Sequence, residues 1–209
     1  MQQIIQIIIK SAIFDRERLL TIHPDYVEFD NAAVKSSTPV KFLRKNIVSF
    51  RHGIRWMDGF IASSIFCIDI CNEDDEVIEI RLKSIYGLRE NEMVEKYTAI
   101  LNALYKNYFD DLSRSYLKQL ASGNEFSILD IQFNKNGIYL NDNPELLLWK
   151  DIEVKVYYTY YSIYSLSGDK AYKIIEPLTE WNAGVLYSVL MQLLKYNKLL
   201  EKENGRLKH

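Results

Sequence analysis

Histidine and cysteine are scarce in this chain of 209 residues, with three of the first and two of the second. That scarcity excludes zinc-finger and HExxH chemistry and any disulfide framework, since each needs several such residues at defined spacings. Cys67 and Cys71 sit four apart in a β-prone run. Extended, they stand ~13 Å apart, whereas a disulfide needs Cα atoms within about 7 Å, so both are expected as reduced packing thiols. Glycine (8 residues) and proline (4 residues) are also few, which excludes low-complexity and disordered classes. There is no P-loop, GxGxxG or GxSxG motif, and neither a cofactor nor a metal is expected. An excess of charge of one sign is missing too. Lys plus Arg total 26 against 28 Asp plus Glu, a net −2, which argues against binding nucleic acid through its phosphates. No stretch approaches eighteen consecutive apolar residues, so no transmembrane span is expected. The Ile-rich start is interrupted by Gln2, Gln3 and Gln6 and has no basic residues before it. It reads as a strand rather than a signal peptide, and a cytoplasmic location is expected.

What is present is a large apolar fraction, 48% against 26% charged, in a chain long enough to bury roughly 70% of its unfolded surface. Hydrophobic periodicity divides it into alternating blocks. Strands are expected at 4–10, 19–23, 26–30, 40–43, 47–56, 61–71 and 76–82, separated by turns at His23-Pro24-Asp25, 31–39, Asp58-Gly59 and 72–75. From about residue 90, Val94, Tyr97, Leu101, Leu104 and Tyr108 step by three and four, the stripe of a helix, and Leu112, Tyr116 and Leu120 continue it. Unbroken to 121, this helix is about 32 residues or ~48 Å. Such a length either bridges two domains or breaks near Asn107–Asp111. Strands return at 126–134, 137–141, 146–149, 152–165 and 171–176. A second helix is expected from Thr179, as N-cap, to about Glu203, with Asn204-Gly205 as its stop.

The order strands, helix, strands, helix carries an internal similarity. Residues 20–30 match 131–141 as strand, turn, strand and closing Asp or Asn. Lys45-Asn46-Ile47 matches Lys150-Asp151-Ile152. Ile100-Leu101 and Leu104-Tyr105 match Val189-Leu190 and Leu193-Leu194. Beyond Ile47 and Ile152 the apolar parity shifts, so either a β-bulge differs between the copies or the match is partly chance.

A meander of six or seven strands closed by one C-terminal amphipathic helix resembles the pleckstrin-homology-like family, in particular its bacterial and GRAM-type members. The stretch Asn136-Gly137-Ile138-Tyr139-Leu140 followed by Leu148-Trp149-Lys150-Asp151-Ile152 carries the likeness most clearly. The resemblance implies an α+β protein of two tandem modules, 1–121 and 122–209. Each is a β-barrel or pair of sheets closed by its own helix, and the first helix is long and bridging. It also implies a binding or adaptor role rather than catalysis. Phosphoinositide-binding members carry Lys and Arg around the first hairpin; here that hairpin, 21–26, has neither, and the second has only Lys135.

Two constellations stand out. Residues 31–57 hold Lys35, Lys41, Arg44, Lys45, Arg51 and Arg55 and no acid. Alternation puts Lys45, Arg51 and Arg55 on one strand face, with Val48, Phe50, His52, Ile54 and Trp56 on the other. With Arg44 they form a candidate site for an anionic lipid head group or a phosphorylated small molecule. Residues 69–79 hold six acids and no base, and cross-strand pairing between the two blocks would neutralise both. The second constellation is tyrosine, 15 residues in all, concentrated in 157–164. Read as one strand, Tyr158, Tyr160 and Tyr164 face one way and Tyr157 and Tyr161 the other. One face is then core and the other a candidate interface for a protein partner or for self-association. Of the histidines, His23 lies in a turn, His52 reads as a packed side chain and His209 is terminal.

Overall fold

The computed structural model describes residues 4–10, 16–30, 38–57, 63–85, 87–140, 145–166 and 172–206. Lys35, the turns expected across 31–37 and at 58–59, residue 61, residue 171 and His209 lie outside the described residues. The chain is an α+β protein that divides into two compact units, Met1–Asp111 and Leu112–His209.

In unit 1, β1 (Ile5–Ile9), β2 (Arg18–His23), β3 (Tyr26–Phe29) and β4 (Val40–Leu43) form an antiparallel sheet in sequence order. A 3-10 corner, Arg44–Asn46, turns the chain into a second antiparallel sheet of β5 (Ile47–Met57), β6 (Ser63–Asn72) and β7 (Val77–Ile85). Alternation decides the core: Leu20 and Ile22, Val27 and Phe29, Phe66, Ile68 and Ile70, and Ile78, Ile80 and Leu82 are all buried. A β-bulge falls at Val48, where the β5–β6 register shifts between Ile47 and Ser49. Val48 is thereby left exposed, contrary to its expected place on the core face, while Phe50 turns inward to full burial.

The helix that follows packs on β1, β2, β6 and β7. It neither breaks nor stays α-helical. α1 (Glu90–Leu104) widens into a π-helical turn at Tyr105–Phe109 and resumes as α2 (Asp110–Ala121). The extra residue in that turn lets three consecutive side chains, Asn107, Tyr108 and Phe109, all be buried, which an α-helical stripe cannot do. The buried stripe of α1 is Met93, Ile100, Ala103 and Leu104. Val94, expected in the stripe, is exposed.

Unit 2 repeats the order. The strands β8 (Phe126–Ile128), β9 (Ile131–Asn134), β10 (Gly137–Leu140) and β11 (Leu147–Leu148) form one antiparallel sheet. A 3-10 corner, Trp149–Asp151, leads to β12 (Ile152–Val156), β13 (Tyr161–Ser165) and β14 (Tyr172–Ile175), and α3 (Ala183–Arg206) follows. The two corners are conformational twins: Leu43 and Leu148 precede them at ψ 147° in both cases, and Ile47 and Ile152 leave them extended. Among the described residues the strands make four separate open sheets, and no ladder closes any of them into a barrel.

Three expectations are corrected in this unit. The strand expected at 126–134 is a hairpin, because Leu129 and Asp130 both take positive φ (48° and 58°) and leave Ile128 paired with Ile131. Paired left-handed residues of this kind make the tight turn whose twist suits a hairpin, and the Leu129 carbonyl accepts from Lys173 Nζ at 2.8 Å. The strand expected at 152–165 also folds back on itself, at Tyr158-Thr159. The second helix starts at Ala183 rather than after Thr179, whose hydroxyl donates back to the Glu176 carbonyl at 3.3 Å and serves a turn. The helix also runs through Asn204-Gly205 to Arg206.

Gly137 opens β10 opposite Leu148. A Cβ there would stand 1.9 Å from the Leu147 carbonyl oxygen, an overlap that only backbone movement relieves. Gly137→Ala should therefore cost about 2–3 kcal/mol, read as a lowered urea midpoint followed by far-ultraviolet circular dichroism. An unchanged midpoint would show that β11 has slack to shift.

Candidate functional site

The cationic candidates do not assemble as one face. Arg44 and Lys45 lie in the 3-10 corner, ahead of the bulge, so strand alternation does not extend to Lys45. Only Arg51 and Arg55 share the outward side of β5, opposite Asp69 and Ile65 on β6. Asp69 is buried on the central strand and clamped from both neighbours. Arg51 Nε approaches it at 2.9 Å, and Arg81 on β7 bonds its other oxygen. The two guanidiniums replace waters that burial takes from this carboxylate, each through a charge-assisted hydrogen bond. Arg44 is engaged by Asp111 and lies over the Tyr108 ring. The expected neutralisation between basic and acidic blocks thus occurs at Arg51, and Glu73 is taken by the Asn46 side chain at 2.7 Å. Lys45 and Arg55 remain exposed.

His52 faces inward between β5 and the helix. Its Nδ1 meets Tyr97 Oη at 2.9 Å and its Nε2 meets Tyr105 Oη at 3.4 Å. The π turn positions Tyr105 for this contact and brings Phe109 to stack on Phe50 at 3.6 Å between ring centroids. A neutral imidazole has one donor and one acceptor nitrogen, and two hydroxyls satisfy both. Burial lowers the His52 pKa from 6.5 to about 4 and pushes both tyrosine hydroxyls upward, so the cluster is held uncharged. The two cysteines are buried and free, and burial pushes the Cys67 thiol up. Among the described residues no group of three His, Cys, Asp or Glu side chains is placed to hold a metal ion, and no helix is long and apolar enough to cross a membrane.

The tyrosine run is redistributed by its hairpin. Tyr157 N–H donates to the Tyr160 carbonyl at 2.8 Å across the turn, and the two rings stack at 4.6 Å. Tyr161 goes to the core, where its hydroxyl donates to the Ala183 carbonyl at 2.8 Å at the start of α3. It therefore does not share a face with Tyr157, as a single strand would require. Tyr158 projects from the turn, 71% exposed. Tyr164 lies on the outer sheet face, beside Glu153 on β12 and Tyr172 on β14, and its hydroxyl donates to the Glu153 carboxylate. That bond holds the proton on Tyr164 more firmly than usual.

The outer face of β12–β14 is thus a shallow groove of about 390 Å³ lined by Lys155, Tyr157, Tyr160, Ser162, Tyr164, Tyr172 and Ile174. Three of the five candidate tyrosines line it; Tyr158 and Tyr161 do not. Tyr172 (66% exposed) and Ile174 on the edge strand, with Lys155 and Ser162, are the members that sequence reasoning missed. Recognising the hairpin would have found them, since its register sets Tyr164 opposite Tyr172 and Ser162 opposite Ile174.

No protein-family model matches this chain, and no curated protein matches it.

The His52 cluster sets a pH dependence with a definite sign. The folded pKa of about 4 lies below the unfolded value of about 6.5, so the unfolded chain binds the proton first. Stability from this site is complete above pH 6.5 and falls as pH drops toward 4. At pH 4.5 the loss is about 2–3 kcal/mol. His52→Gln keeps a donor and an acceptor but does not titrate. It should shrink the difference between urea stabilities at pH 7 and pH 4.5 by about that amount. An equal difference in both proteins would mean that the imidazole is not held neutral.

Proposed function

We propose that this chain is a non-catalytic binding protein made of two pleckstrin-homology-like modules, and that it engages a protein partner through the tyrosine face of unit 2. Support for the scaffold is the order shared by both units: four strands, a 3-10 corner, three strands and a helix. The likeness is one of scaffold, and function has to be argued from the site. The observation that carries the functional reading is the exposed groove of Tyr157, Tyr160, Tyr164 and Tyr172. Tyrosine supplies large, stiff contact area with a polar tip, which is why it is enriched where proteins meet. His52 supports the non-catalytic part of the reading, since both ring nitrogens are already engaged by tyrosines. The alternative, an anionic lipid or phosphorylated small molecule on Arg44, Lys45, Arg51 and Arg55, has less to recommend it, because Asp111 and Asp69 already occupy Arg44 and Arg51.

A photo-crosslinking side chain placed at Tyr172, and separately at Arg55, in the full chain within its native cell separates the readings. Adducts with another protein from position 172 and not from 55 are expected; adducts between two copies of the chain would identify the partner as the chain itself. Adducts from position 55 alone, or none from 172, would overturn the proposal. In parallel, sedimentation with anionic vesicles should show no binding that Lys45→Glu with Arg55→Glu removes. Salt-sensitive binding lost in that double variant would favour the anion reading instead.

A further inference from the structure

The outward side chains of β12–β14 fall into two rows, because residues paired directly across antiparallel strands share a face. One row is Glu153, Tyr164 and Tyr172; the next is Lys155, Ser162 and Ile174. The rows lie two residues apart along each strand, about 6.8 Å. Strand by strand they are opposites. On β12 an exposed acid stands beside an exposed base. On β13 the large Tyr164 stands beside the small Ser162, and on β14 the exposed ring of Tyr172 stands beside the branched aliphatic Ile174. Glu153 and Lys155 are the charged members of the two rows, one of each sign, so the rows together carry no net charge.

Such a surface is complementary to itself under one two-fold operation. Consider an axis lying between two facing copies, perpendicular to the strands and midway between the rows. It sets each row of one copy over the other row of the second. Glu153 then faces Lys155 of the second copy, Tyr164 faces Ser162, and Tyr172 faces Ile174, each contact occurring twice. An axis along either row instead sets Glu153 against Glu153 or Lys155 against Lys155, which repel. An axis along β13 sets both charges over the Tyr172–Ile174 edge, where neither meets a counter-charge. Charge thus selects one arrangement, and size agrees with it. Facing sheets pack about 10 Å apart with strands aligned to within about 30°, a gap that tyrosine over serine fills and tyrosine over tyrosine overfills. The bond from Tyr164 to Glu153 is compatible with the pairing, since a carboxylate accepts more than one hydrogen bond.

We propose that unit 2 pairs with a second copy of the chain, outer sheet face to outer sheet face, about this two-fold axis. This rests on the reading of the same face as protein-binding and identifies the partner. A different protein would have to supply both complementary rows, whereas the chain already carries them. The outer strands of the face are only about 9.6 Å apart, so the interface is below standard size and the dimer is a weak, concentration-dependent one.

The test is sedimentation velocity of the full chain across about 1–500 μM, a range suited to a weak interface. It is run beside Glu153→Lys, Lys155→Glu and their equimolar mixture, each variant matching the unaltered circular dichroism. The unaltered chain should dimerise. Each single reversal sets like charges together at both symmetry-related contacts and should raise the dissociation constant tenfold or more. The mixture should regain the dimer, because one variant then brings two lysines against two glutamates of the other. Ser162→Trp fills the place of Tyr164 from the second copy and should abolish pairing whatever the charges, which keeps the test decisive if a charge variant does not fold. A chain that stays monomeric, a dimer indifferent to these substitutions, or a mixture no better than its components would each overturn the inference. Crosslinks from position 172 to a different protein, with the chain monomeric, would leave the protein-binding reading standing; if no crosslinks formed from 172 either, both would fall.

Discussion

The backbone hydrogen bond from Tyr157 to the Tyr160 carbonyl governs how unit 2 spends its aromatic residues. Without it, 152–165 is one long strand with tyrosines on both sides, and one of its faces is a bare aromatic surface prone to pairing with other chains. With it, the segment becomes a hairpin. Tyr161 is drawn into the core and tied to the first residue of α3, and Tyr157, Tyr160 and Tyr164 come to the outer face beside β14. Neither Tyr158 nor Thr159 is among the residues of positive φ, so the turn is made without the backbone conformation that glycine or asparagine usually marks. Stacking of the two flanking rings does the closing instead.

That difference explains what could be read in the sequence and what could not. Strands of unit 1 were legible because their alternation is regular and their turns contain Pro24-Asp25 or the acidic run after Asn72. The bulge was legible only as one of two explanations for the parity change after Ile47 and Ile152, and the register shift at Val48 decides between them. The twin corners follow from matched triplets, Lys45-Asn46-Ile47 and Lys150-Asp151-Ile152. What escaped were turns built from strand-forming residues. Tyr158-Thr159 carries no local turn preference, and Leu129-Asp130 offers only Asp130 as a turn former, so pairing and packing decide both hairpins. The candidate site was half legible for the same reason: its tyrosines stood out by number, but their grouping depended on a turn that composition hides.

The helix after β7 shows packing overruling periodicity in a second way. An α-helical repeat can bury Tyr108 or Phe109 along with Leu104, but not both together with Asn107. Phe50, turned inward by the bulge, needs a ring to stack on, and His52 two residues later needs partners for two nitrogens. One inserted residue in the helix meets both demands, giving Phe109 to Phe50 and Tyr105 to His52. Two irregularities, a bulge in β5 and a π turn in the helix, are therefore one adjustment made on both sides of the same interface.

The two three-stranded sheets, alike in order, carry opposite outer faces, and this contrast bears most on function. In unit 1 the outer face of β5–β7 is charged and partly paired within itself: Asp69 holds Arg51 and Arg81, Arg81 also reaches Glu79 at 3.6 Å, and Arg55 stays exposed. Burying a carboxylate is tolerable there only because two guanidiniums attend it, and guanidiniums so occupied are poor candidates for a passing anion. Among the described residues the equivalent face of unit 2 keeps one carboxylate, which accepts from Tyr164, and leaves aromatic rings and hydroxyls facing outward. Two sheets of the same strand order thus differ in the chemistry of their outer faces: one draws its buried carboxylate into ion pairs, the other exposes aromatic rings.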